Sequence, residues 1–220
     1  MNISTLVPDY VEEEHPGISN LDVGILFSSY QLVFLIVAPI LGDTLPKFGR
    51  RRAILVGSVL ISLATAIFAC AAFCKDAKSF YIVSFVARSI QGGADAFILV
   101  SVPSIIAVEW PEKNEVYQGY AGISMGVGLM LGPVIATAIV RVLSYFWTLM
   151  FFAVLVCILT ITATCFIPKR IDLDTAQAKD IKDVPFKLFF QSPRVVSVLV
   201  IVFIAAVNLI FMDPILVLWL

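Results

Sequence analysis

Six apolar runs follow one another along the chain, at about 23–41, 53–74, 79–108, 117–141, 144–167 and 195–220. Each meets or approaches the roughly 20 residues an α-helix needs to cross bilayer hydrocarbon. No water reaches that layer, so every backbone N–H and C=O must be satisfied within the segment, and such a run folds as a helix. The third run is longer than one crossing requires and has to tilt or project from the bilayer. Composition agrees: 60% of the 220 residues are hydrophobic and 14% are charged, against about 25% charged in soluble domains. Mean hydropathy is +0.99. The expected class is an all-α multi-span membrane protein with six transmembrane helices, whose first partner is the lipid bilayer.

The position of the charges carries more than their sum. Net charge is −1, which gives no pull toward nucleic acid. The loop after the first run holds Lys47, Arg50, Arg51 and Arg52, and the loop after the third holds Lys113. The loop after the fifth holds Lys169, Arg170, Lys179, Lys182, Lys187 and Arg194. The alternate connections carry Lys75, Lys78 and Arg141, and the segment 1–22 is acidic, with Asp9, Glu12, Glu13, Glu14 and Asp22. Basic residues stay in the cytoplasm, which places the first, third and fifth loops there and segment 1–22 on the opposite side. Segment 1–22 lacks the apolar core of a cleavable signal. The expected division is a non-cytoplasmic segment 1–22, a bundle of five spans over 23–167, a cytoplasmic central loop over 168–194, and a sixth span over 195–220. A start on the non-cytoplasmic side without a signal leads to the expectation that a longer parent has one more span ahead of this chain and several after it.

Inside the third run, Phe85 to Ala96 reads F-V-A-R-S-I-Q-G-G-A-D-A. Arg88 and Asp95 lie where hydrocarbon is expected. At about 100° per residue, Arg88, Gln91 and Asp95 share one helix face within roughly 60°. An ionisable group at membrane depth costs about 2.5–3.5 kcal/mol on insertion scales, so it faces a bundle interior or a wet cavity and marks function by default. Two arrangements are compatible: a buried pair that locks helices together, or two polar centres along one path. Seven residues separate them by about 10.5 Å along the axis, which favours two centres. Gly92 and Gly93 let a neighbouring helix or a substrate come close.

Enzyme chemistry finds no support. Cys70, Cys74, Cys157 and Cys165 sit in or at the ends of apolar runs without CxxC spacing, and His15 is the one histidine. No metal-ligand spacing, nucleophile with base, or phosphate loop is present, and no cofactor is expected.

Three patterns fall in order at matching spans. The first loop reads G-D-T-L-P-K-F-G-R-R-R from Gly42, the third run R-S-I-Q-G-G-A-D-A from Arg88, and the fourth G-L-M-L-G-P from Gly128 to Pro133. Together they resemble the major facilitator superfamily, and within it the twelve-span proton-coupled antiporters. The resemblance assigns this chain spans 2 to 7, so that span 1 and spans 8 to 12 lie outside it. It implies that Gly42, Asp43, Lys47, Gly49, Arg50 and Arg51 form a cytoplasmic gating loop. The family's acid four residues after the first glycine is Pro46 here, with Asp43 nearby; a purely topogenic basic loop is the other reading. It implies that Gly128, Gly132 and Pro133 mark the antiporter-type helix, with Ala136 and Thr137 where the family has two further glycines. Generic close packing is the other reading. It implies that Arg88 and Gln91 border the central cavity. Asp95 is not part of the family pattern and points to a cationic substrate or a proton site. In the last run Asp213 precedes Pro214, an acid–proline pair reminiscent of the vesicular amine transporter branch.

The expected function is secondary transport of a small organic solute, cationic and drug- or amine-like, by antiport with protons as the coupling ion. A truncated, non-transporting membrane protein or regulatory isoform is the alternative. A sugar or other solute porter is the runner-up among carriers, although residues 166–170 read F-I-P-K-R where sugar porters carry an acidic, proline-bearing signature.

Overall fold

The computed structural model describes residues 7–14, 17–167, 171, 197 and 200. The chain divides into two compact units, Met1–Gln177 and Ala178–Leu220. Of the sixth apolar run, only residues 197 and 200 are among the described residues, and Asp213 lies outside them.

Among the described residues the first unit holds six α-helices of a full turn or more, in order: α1 Val7–Glu14, α2 Asn20–Phe48, α3 Arg50–Cys70, α4 Ala77–Glu109, α5 Asn114–Val140 and α6 Tyr145–Phe166. Five of them, α2 to α6, are long and apolar enough to cross a membrane. At 1.5 Å per residue, the 33 residues of α4 extend about 50 Å, well beyond a hydrocarbon layer of about 30 Å. The ends are set by local chemistry. Ser19 caps α2 in a capping box: its hydroxyl accepts from the Asp22 N–H, and the Asp22 carboxylate accepts from the Ser19 N–H at 3.0 Å. Asp76 caps α4 by accepting from the Ser79 N–H.

The first connection differs from the loop expected over 42–52. Apart from Gly49, that stretch is helix. Leu41 and Leu45, one turn apart, are both buried, so the inward face of α2 continues past the apolar run. The chain turns at Gly49 alone, with φ 95° and ψ 129°. That φ is open to glycine and strained for other residues.

The bundle is built as lipid-facing proteins are. Large apolar side chains such as Leu32, Leu35, Met130 and Ile158 point outward, and small residues such as Ala64, Ala69, Ala87, Ala94, Ser58 and Ser84 are buried. Without a hydrophobic drive between helices, close backbone approach and side-chain polar contacts hold them together. Two glycines mark the closest crossings. A Cβ at Gly57 of α3 would lie 2.7 Å from the Phe97 Cβ and 2.8 Å from the Ala94 carbonyl oxygen of α4. A Cβ at Gly92 of α4 would drive into the Tyr30 carbonyl of α2. Helix α4 is thus gripped by α3 and α2, and α6 packs against α3. Helix α5 stands apart: Ala136 is its one buried residue among those described.

The core joins Leu26, Phe68, Phe80, Ala87, Leu149 and Phe152 to Val7 and Val11 of the short α1. Tyr10 fixes α1 in place. Its ring stacks on Tyr145 at 4.1 Å between centroids, and its hydroxyl donates to the Ala72 carbonyl at 3.3 Å.

Candidate functional site: a polar interior between membrane-length helices

Helix α4 carries Arg88, Gln91 and Asp95 on one side, as the periodicity predicts. The neighbouring helices divide them into two groups. Arg88 and Gln91 are about 95% buried and turn toward α3. Arg88 Nη1 donates to Gln91 Oε1 at 3.4 Å, and Gln91 Nε2 donates to the Thr65 hydroxyl at 2.9 Å. Thr65 passes the chain on to the Ile61 carbonyl at 2.8 Å. The guanidinium lies over two rings, 4.8 Å from the centroid of Phe27 and 5.2 Å from that of Phe68. A desolvated cation over an aromatic face gains about 2 kcal/mol or more per contact. That offsets part of a burial penalty of several kcal/mol. No carboxylate pairs with Arg88 among the described residues, and its Nε and Nη2 have no hydrogen-bond partner there. Ser84, one turn earlier, and Tyr145 on α6 likewise bury hydroxyls without a hydrogen-bond partner among the described residues.

Asp95 belongs to the second group. It is half-buried and accepts a hydrogen bond from the hydroxyl of Tyr30 on α2. Arg88 and Asp95 form no direct ion pair among the described residues, and Tyr30 of α2 holds Asp95 from across the helix interface. Tyr30, Thr65, Phe27, Phe68 and Tyr145 do not stand out in the sequence. The available signal is a phenol in the middle of an apolar span, whose hydroxyl needs a partner when buried.

The gating-loop residues sit at the Gly49 end of the bundle. Gly42, Asp43 and Lys47 are exposed on the last turns of α2, and a Cβ at Gly42 would meet nothing within 4 Å among the described residues. Arg50 opens α3 and donates from Nε to the Ser104 hydroxyl of α4 at 2.7 Å, tying the turn to the far end of that helix. Arg51 is half-buried beside it. On α5, Gly128 is exposed, Gly132 and Pro133 are half-buried, and a Cβ at either glycine would meet nothing within 4 Å among the described residues.

The sequence that builds this arrangement has relatives among known proteins. The sequence pattern of the Major Facilitator Superfamily matches residues 1–220. The chain belongs to that superfamily. Within the superfamily it is similar to the vesicular acetylcholine transporter of Drosophila melanogaster, 29% identical over 213 residues, or 95% of this chain and 35% of that protein. It is 33% identical to the chromaffin granule amine transporter of Rattus norvegicus over 125 residues, 56% of this chain and 21% of that protein. It is 25% identical to multidrug resistance protein 2 of Bacillus subtilis over 132 residues, 60% of this chain and 31% of that protein. The chain thus spans about a third or less of the length of these transporters. As a superfamily member near the vesicular amine branch, it is a multi-pass membrane protein of a transporter family.

Proposed function

We infer that this chain belongs to a proton-coupled antiporter that carries a small organic cation, amine- or drug-like, across a membrane. The observation that supports it most is an acidic and a basic side chain held at different points of one helix, inside a bundle of membrane-length helices, with no ion pair among the described residues to cancel them. Asp95 offers a negative charge to a cationic substrate. A proton arriving at the same carboxylate neutralises it and releases the cation. The relatives' names, acetylcholine, amine and multidrug, point to the same ligand class.

The movement is alternating access of two bundles about a site near the midplane, as in other carriers built from repeats. In this reading 23–167 is one bundle and 168–194 the cytoplasmic connection. Residues 195–220 begin the next bundle and bring Asp213 as a second acid on the path. Arg88 and Gln91 line that path. Gly42, Asp43, Lys47, Gly49, Arg50 and Arg51 act at the cytoplasmic gate, and Gly128, Gly132 and Pro133 supply the flattened, bent face of α5. The test is proton-driven uptake of organic amines by the protein in proteoliposomes. Asp95→Asn is expected to abolish accumulation; unchanged uptake would remove Asp95 from the mechanism.

A further inference from the structure

The contact between α2 and α4 does more than hold two helices together. Gly92 places the Tyr30 backbone directly against α4, and a Cβ at Gly93 would rest 3.5 Å from Val33 and 3.9 Å from Val37. Tyr30, Val33 and Val37 form one stripe of α2 at helical spacing, seated on the two glycines. Once the Tyr30 backbone is fixed at the level of Gly92, Asp95 lies about 4.5 Å farther along α4, within reach of a phenol. The hydroxyl donates to Oδ2. Oδ1 of Asp95 accepts no hydrogen bond among the described residues, and the residue is half-exposed. One oxygen of the carboxylate is therefore held, and the other has no hydrogen-bond partner among the described residues.

We propose that Tyr30 is a positioning residue for cation recognition: it anchors Oδ2 of Asp95 so that Oδ1 is presented to the ammonium group of the substrate. This rests on the reading of Asp95 as the cation site. A tyrosine suits the task because it donates to the carboxylate without adding a charge that would cancel it, as Lys or Arg would. Its rigid ring also loses little rotamer freedom in being held.

The experiment is uptake of acetylcholine, tetraethylammonium and tyramine by the protein in proteoliposomes. The readouts are kcat and KM for wild type, Tyr30→Phe, Asp95→Glu and Asp95→Asn. Phenylalanine keeps the ring in its packing and removes only the hydroxyl. Tyr30→Phe is expected to raise KM about tenfold with kcat within about twofold, the size of one lost hydrogen bond to a charged group. Asp95→Glu carries the carboxylate past an intact phenol and is expected to raise KM to a similar extent, a check that stands if Tyr30→Phe fails to fold. Unchanged KM in both variants, with Asp95→Asn inactive, overturns the role of Tyr30 and leaves Asp95 as the cation site. A fall in kcat at constant KM also overturns it, since that marks a structural role. Uptake by Asp95→Asn equal to wild type, or no uptake of any probe by wild type, overturns both readings.

Discussion

The hydroxyl of Tyr30 on α2 donates to the carboxylate of Asp95 on α4, 65 positions away in sequence. The bond is formed because Gly92 has no side chain to hold the helices apart. Gly92→Ala is therefore expected to destabilise the bundle, since a methyl there meets the Tyr30 backbone, which cannot swing away as a side chain would. Overpacking costs about 1–3 kcal/mol. Gly57→Ala meets the Ala94 carbonyl oxygen at 2.8 Å and should behave alike, whereas Gly42→Ala, inside α2 with nothing within 4 Å among the described residues, should be neutral to slightly stabilising. Thermal unfolding of the three variants in detergent checks the order.

Arg88 is buried between Phe27 and Phe68 with two donors unsatisfied and no carboxylate on it among the described residues. Nothing in that arrangement repays the full desolvation of a charge. Replacing a buried charge by an apolar side chain of similar volume is often neutral or stabilising by about 1–4 kcal/mol. Arg88→Met is expected to fold at least as stably as wild type and to lose transport. A large drop in melting temperature would assign Arg88 to stability.

Gly49 takes the one positive φ among the described residues, at the turn from α2 to α3. Gly49→Ala is expected to cost about 1–2 kcal/mol through the left-handed backbone and to loosen the Arg50–Ser104 bond that this turn aims. Ser104→Ala removes the same bond without strain, and comparing the two in thermal unfolding separates backbone strain from the lost contact.

Helix α1 lies outside the membrane-length segments, and its Tyr10 phenol is raised above its ordinary value of 10, first by burial and then by the charge of Glu14. A phenol raised in the folded state contributes stability that is complete below its unfolded value and is lost as pH rises through the folded one. Docking of α1 should therefore be constant through neutral pH and weaken only above about pH 10. Tyr10→Phe keeps the stack on Tyr145 and should remove this alkaline transition. The rate of proteolysis at Glu14, followed against pH, reads both.

The spans were legible because hydrocarbon leaves the backbone one solution, and α3 to α6 begin and end within a few residues of the apolar runs. Helix α2 ran longer than its run because Leu41 and Leu45 carry its buried face through a stretch whose charges read as loop. The shared face of Arg88, Gln91 and Asp95 followed from the helical repeat. Their spacing favoured two centres, but the partners that fix each one, Thr65 and Tyr30, lie 26 and 65 positions from Gln91 and Asp95 and were not legible. A threonine and a tyrosine inside apolar runs look like packing until the crossing of the helices is known. Asp213 lies outside the described residues, and its part in the path is a proposal.

The proposed mechanism requires Asp95 to meet both water and substrate within the bundle. The direct measurement replaces Cys70, Cys74, Cys157 and Cys165 by serine or alanine, introduces Asp95→Cys, and follows its reaction with a charged, water-soluble thiol reagent. Modification that is readily observed is the result expected here. A thiol at position 95 that the reagent never reaches would contradict it.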